Sequence, residues 1–108
     1  MRMQLGAILL AFTVAAGCAK HGVAREVNGV RIVEEKQGLW ARATLSPDSA
    51  IKIAMARVPG GQVTKGELEE EDGRLIYSFD ITVAGKSGED EVHVDANTGA
   101  VVKHEHEG

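Results

Sequence analysis

One cysteine, two prolines and one tryptophan are all that this 108-residue chain contains of three residue types that often carry the architecture or chemistry of a small protein. With Cys18 alone, no intramolecular disulfide can form, so core packing and hydrogen bonds must hold the fold. Nor is there an apolar run long enough to span a bilayer: Leu5 to Val14 falls well short of the ~20 residues a crossing helix needs. Basic residues are outnumbered, giving a net charge of −4, which argues against a nucleic-acid partner. No serine sits in a strand-to-helix elbow with a histidine and an acid arranged around it, so nucleophilic catalysis has no footing. Neither enzymatic activity nor a cofactor is expected.

What is present begins with an address. Arg2 precedes the apolar stretch, and the small residues Ala15-Ala16-Gly17 follow it, the order that export machinery reads. Residues 1–17 are expected to be a signal peptide. Ala15-Ala16-Gly17-Cys18 also resembles the bacterial lipobox, departing from it at Ala15, where leucine is usual, and this makes Cys18 the expected lipidation site. The alternative is ordinary cleavage after Ala16 or Ala19, which would release a free periplasmic or secreted protein. Either way the chain is expected to be exported to the periplasm or cell envelope, touching the membrane only through a lipid anchor. From Cys18 onward it keeps all sixteen acidic residues and eleven of the twelve basic ones, a net charge near −5. One small domain fits in that length; such domains bury only about 60% of their unfolded surface and leave no room for a deep cleft.

Residues 18–37 mix charge and glycine with short apolar pieces and read as a tether, with a fragment of helix or strand near Val30 to Lys36. The domain proper is expected over 38–108. Trp40 should pack onto its core. Ser46-Pro47-Asp48 starts a helix: the serine accepts orphan backbone N–H groups, proline fits the first turn, and aspartate suits the positive end of the dipole. Ile51, Ala54, Met55 and Val58 form its apolar stripe, and Pro59-Gly60-Gly61 ends it near Val58.

From Gln62 the period becomes two. Leu75, Tyr77, Phe79, Ile81 and Val83 alternate with Ile76, Ser78, Asp80 and Thr82, as in a strand buried on one face. Asp72-Gly73 predicts a two-residue hairpin turn that sets Glu71 against Arg74, Leu68 against Tyr77, Gly66 against Phe79 and Lys65 against Asp80. A loop over Gly85-Lys86-Ser87-Gly88 would place Ile81 beside Val92 and Phe79 beside Val94. Asp95-Ala96-Asn97-Thr98-Gly99 forms the last turn, before a short strand from Val101. The expected fold is α+β, with one helix packed on a four-stranded antiparallel β-meander.

This arrangement resembles the PepSY domain. The likeness rests on Leu45-Ser46-Pro47-Asp48-Ser49-Ala50-Ile51, Ala54 to Val58 with Pro59-Gly60-Gly61, Glu67-Leu68-Glu69 ahead of Asp72-Gly73-Arg74-Leu75-Ile76-Tyr77, and Val92-His93-Val94-Asp95-Ala96-Asn97-Thr98-Gly99. It implies a small extracytoplasmic module of the kind found in propeptides of thermolysin-like metallopeptidases and in bacterial envelope proteins, binding or inhibiting peptidases. The resemblance brings no catalytic set. With no peptidase within these residues, it points to action in trans on a protein or peptide partner.

Three surfaces are candidates for that action. The sheet face away from the helix, around Lys65, Ile76, Ser78, Asp80 and His93, or the first-strand edge, would meet a partner, since extended peptides also add to sheet edges. Exposed His93, His104 and His106, with Asp80 or Glu91, would supply the ligands of a zinc or copper site in the alternative reading, a periplasmic metal-binding or sensing accessory. A solvated charge ladder is the plainer interpretation of those histidines. The run Glu67, Glu69, Glu70, Glu71, Asp72 could attract a cation or a basic partner, but such runs more often keep strands from pairing with their neighbours. A third reading is a dimer pairing through the open face, by way of exposed Ile76 and Val102.

Overall fold

A computed structural model describes residues 22–108; the expected leader, the lipobox and Cys18 lie outside the described residues. Six strands form one sheet in the order of the chain: β1 (Ala24–Val27), β2 (Val30–Glu34), β3 (Gly61–Glu71), β4 (Arg74–Val83), β5 (Glu89–Asp95) and β6 (Val101–Glu107). All neighbours are antiparallel except β2 and β3. That parallel join needs a long crossover, supplied by a 3₁₀ turn at Trp40–Arg42 and helix α1 (Pro47–Arg57). The α+β class and the single helix agree with expectation. The strand number does not.

The correction lies in the stretch read as a tether. Asn28 and Gly29 have φ of 50° and 80°, and Val27 pairs with Val30 across them. That is the left-handed pair a two-residue hairpin demands, the same device as Asp72-Gly73, where φ is 52° and 76°. The hairpin then docks through Ile32, Val33 and Glu34 on Gly66, Glu67 and Leu68. Its apolar residues justify the docking: Ile32 is fully buried, and Val27 and Val30 pack against the core.

α1 starts where expected. The Ser46 hydroxyl accepts the Ser49 N–H at 3.1 Å, and Pro47 occupies the first turn. Its Ala50, Ile51 and Ala54 are buried against β3, β4 and β5, above Leu75, Tyr77, Phe79 and Ile81. The approach to the helix is pinned as well. Tyr77 Oη donates to the Leu45 carbonyl at 2.7 Å, while the N–H groups of Thr44 and Leu45 reach the Ala96 carbonyl. Trp40 packs against the same core, its ring 6.2 Å from that of Tyr77 and capped by the Arg25 guanidinium at 4.4 Å.

The β3–β4 register is the expected one, from Glu71 opposite Arg74 to Lys65 opposite Asp80. The β4–β5 register differs by two residues: Phe79 lies opposite Val92 and Ile81 opposite Asp90. The loop starts at Ala84 rather than Gly85, with Gly85 and Gly88 both at positive φ and Lys86 N–H bonded to the Val83 carbonyl. A shift of two leaves every side chain on its expected face. At β6 the consequence is larger. Val94 pairs with Val101 but His93 with Lys103, so Val102 is the extra residue of a bulge, and everything beyond it changes face.

Candidate functional site

All five residues expected to meet a partner lie on the sheet face away from α1: Lys65 opposite Asp80, and Ile76 and Ser78 beside Asp95 and His93. The face is right, but its openness is not. Ile76 and His93 are 1% exposed, and Ser78 8%. Among the described residues no helix or strand covers them; long polar side chains from neighbouring strands close over them instead. His93 Nε2 lies 2.7 Å from Glu91 Oε2, and Nδ1 is 3.5 Å from Glu71 Oε1. Lys103 Nζ reaches Glu91 Oε1 at 3.4 Å and Glu105 at 3.8 Å. Lys65 and Asp80 remain accessible, whereas Ile76 is withdrawn as an exposed dimerisation residue. Val102 stays exposed at 40%.

The metal set comes apart. His93 faces away from α1, whereas the bulge at Val102 turns His104 and His106 to the helix side, beside Val92 and Asp90. There His104 Nε2 and His106 Nδ1 sit 2.7 and 2.6 Å from the two oxygens of Asp90, which hold its carboxyl below the usual aspartate range through the hydrogen bonds of His106 and then His104. Among the described residues, no group of three or more His, Cys, Asp or Glu side chains is arranged to hold a metal. The imidazoles clip the edge strand to its neighbour.

The strongest property of the face away from α1 is its charge. β3 places Glu67, Glu69 and Glu71 on it, and β4 adds Asp80. From β5 come Glu89 and Glu91, and from β6 Glu105 and Glu107. Lys65, Arg74 and Lys103 oppose these eight carboxylates; the further cation of the face, Arg31, and Arg74 each lie 3.7 Å from an additional carboxylate on it, Glu26 and Asp95. Crowding shows in the titrations. Burial, followed by the charges of Glu67 and Glu71, pushes Glu69 up, and the Asp80 carboxylate pushes Glu89 up. Glu91 goes the other way, held down by its hydrogen bond from His93 and by Lys103.

An open depression of about 510 Å³ interrupts this face near the Asp72-Gly73 turn. Ile76 and His93 line it together with the displaced Val102, and Glu71, Arg74 and Lys103 stand around them. Val102 was expected in register; the alternation of apolar and polar residues carries no sign of the bulge that moves it. The acidic character, by contrast, was legible in the glutamates at every second position of β3.

Comparison with known proteins places residues 44–105 in the family described as "Peptidase propeptide and YPEB domain", PepSY. That span runs from the segment before α1 into β6, so the β1–β2 hairpin lies in front of it. No curated protein and no solved structure matches the chain significantly.

Proposed function

The chain belongs to the PepSY family, and from that premise we propose that it is a non-catalytic module of the bacterial cell envelope that binds a protein or peptide partner and restrains a peptidase in trans. The observation that carries this reading is the family match over the helix and meander, in a fold whose helix covers only one side of the sheet. A small α+β domain with one unlayered face suits recognition of a surface better than enclosure of a substrate. Cys18, lipidated on its thiol and then made the new N-terminus by removal of residues 1–17, would hold the module at the membrane. The histidines carry no comparable support for a metal-sensing role, since they divide between opposite faces.

Titrating the purified protein into thermolysin-like metallopeptidases, with turnover and complex formation followed together, tests the main claim. Saturable inhibition with an isolable complex is expected. Absence of both inhibition and complex across such peptidases would overturn it. Anchoring is tested separately by cell fractionation and mass spectrometry of the mature N-terminus: a diacylglyceryl-modified Cys18 lost in Cys18→Ser is expected, and an unmodified wild-type cysteine overturns the anchor.

A further inference from the structure

The face away from α1 carries more negative charge than its own cations balance, and it contains a buried hydroxyl, that of Ser78, with no side-chain partner among the described residues. Glu67, Glu69 and Glu71 stand at alternate positions of β3, with Lys65 exposed at one end, 3.9 Å from Glu67. Alternate residues of a strand are about 7 Å apart, which is also the spacing of same-side residues in any extended peptide laid along it. Ser78, between Glu67 and His93, is nine-tenths buried yet makes no side-chain hydrogen bond to another described residue. His93 is bonded through Nε2, while Nδ1 lies 3.5 Å from Glu71, too far for a good hydrogen bond.

We propose that this face docks a cationic, extended segment of a partner protein, with lysine or arginine at alternate positions against the β3 glutamates and one such side chain seated in the depression beside Val102. The inference rests on the reading that the chain binds a protein partner and names that partner's chemistry. Long basic side chains suit the depression because they are amphipathic: methylenes lie on exposed Val102 while the charged head reaches Glu71. The cations already present do not fill that role. Lys103 is occupied by Glu91 and Glu105, and Arg74 leans toward Asp95. Docking of a basic segment would relieve the repulsion that raises Glu89 and the part of the rise of Glu69 that Glu67 and Glu71 add to burial.

Fluorescence anisotropy with a labelled (Arg-Thr)4 peptide and its (Glu-Thr)4 counterpart tests this on the purified protein. The cationic peptide should bind and weaken by about tenfold or more between low and high salt, and the anionic one should not bind. Glu67→Lys combined with Glu69→Lys should weaken binding by about tenfold or more at an unchanged melting temperature. Lys65→Glu should tighten it several-fold, a gain that unfolding cannot mimic. Val102→Ser should weaken it while leaving the salt dependence intact. Equal binding of both peptides, no binding of the cationic one, or wild-type affinity in the double reversal overturns the proposal. Peptidase inhibition by the same samples keeps the two readings apart. A protein that inhibits but ignores the cationic peptide defeats this inference alone, whereas one that binds the peptide in the predicted manner yet inhibits nothing supports it and defeats the peptidase reading.

Discussion

The Glu34 carboxylate accepts the backbone N–H of Leu39 at 2.8 Å in a buried position, closing the chain from the end of β2 back onto the sheet. The same oxygen takes the Trp40 N–H at 3.0 Å, and the other oxygen the Val23 N–H at 2.8 Å. Burial alone would push this acid up, but the three backbone donors hold it below its ordinary value. Glu34→Ala removes the acceptor for all of them and should cost roughly 1 to 3 kcal/mol, read by chemical denaturation. Because the folded-state pKa is lowered, the contribution is present above the unfolded value near 4.5 and is lost as pH falls through the folded one. The variant should therefore show a shallower acid destabilisation than wild type; identical acid limbs would count against the clasp.

Tyr77 offers a spectroscopic test. Desolvation pushes its hydroxyl up to about 12, even with Arg25 pulling the other way. Absorbance titration should show the only tyrosine ionising well above its ordinary 10 in the folded protein. Stability tied to this group is full below pH 10 and is lost as pH rises through the folded value. Tyr77→Phe should cost about 1 kcal/mol, the net worth of the hydrogen bond to the Leu45 carbonyl. A normal titration in the intact protein would contradict the burial.

At Gly66 the hairpin packs closely on the meander. A Cβ there would meet the Arg31 carbonyl oxygen and Ile32 Cγ1 at 3.1 Å, and the Phe79 ring at 3.4 Å. Gly66→Ala should destabilise by about 1 to 3 kcal/mol through overpacking, with loss of amide protection concentrated in β2. A neutral melt would show that the seam yields more readily than its distances suggest.

Asp90→Asn tests the double imidazole clip. The folded-state pKa of Asp90 is lowered, so its contribution is present above the ordinary value of 3.8 and disappears as pH falls below it. Hydrogen exchange in β6 should rise in the variant at neutral pH while that of β4 stays unchanged. Equal acceleration in both strands would mean that the clip is global rather than local.

Legibility in the sequence followed how each feature is encoded. Ser46-Pro47 and Asp72-Gly73 act through local backbone chemistry, and the helix start and the β3–β4 register came out as read. Two glycines in Gly85-Lys86-Ser87-Gly88 allow loops that begin one residue apart, and both choices keep the same inward residues, so alternation could not separate them. Asn28-Gly29 carries as clear a hairpin signal as Asp72-Gly73, but Ala24–Val27 is short and charged and has the composition of a linker. The bulge at Val102 arises in a strand of mixed polar residues where no apolar period marks a slip, and it alone scattered the histidines. Alternation also told which way Ile76 and His93 point without revealing that their neighbours' long side chains would fold over them.

The parallel join between β2 and β3 gives the molecule a mechanical grain. The hairpin is stitched to the rest of the sheet at Ile32, Val33 and Glu34 and by the carboxylate clasp, whereas β3 and β4 pair from Gly61 to Glu71 with one bulge at Thr64. Tension entering at the amino-terminal end would meet the four β1–β2 pairs first, then the three-residue β2–β3 seam, and only then the long β3–β4 pairing. Under load the hairpin, held by the fewer pairs, is expected to yield before the helix and its four-stranded meander.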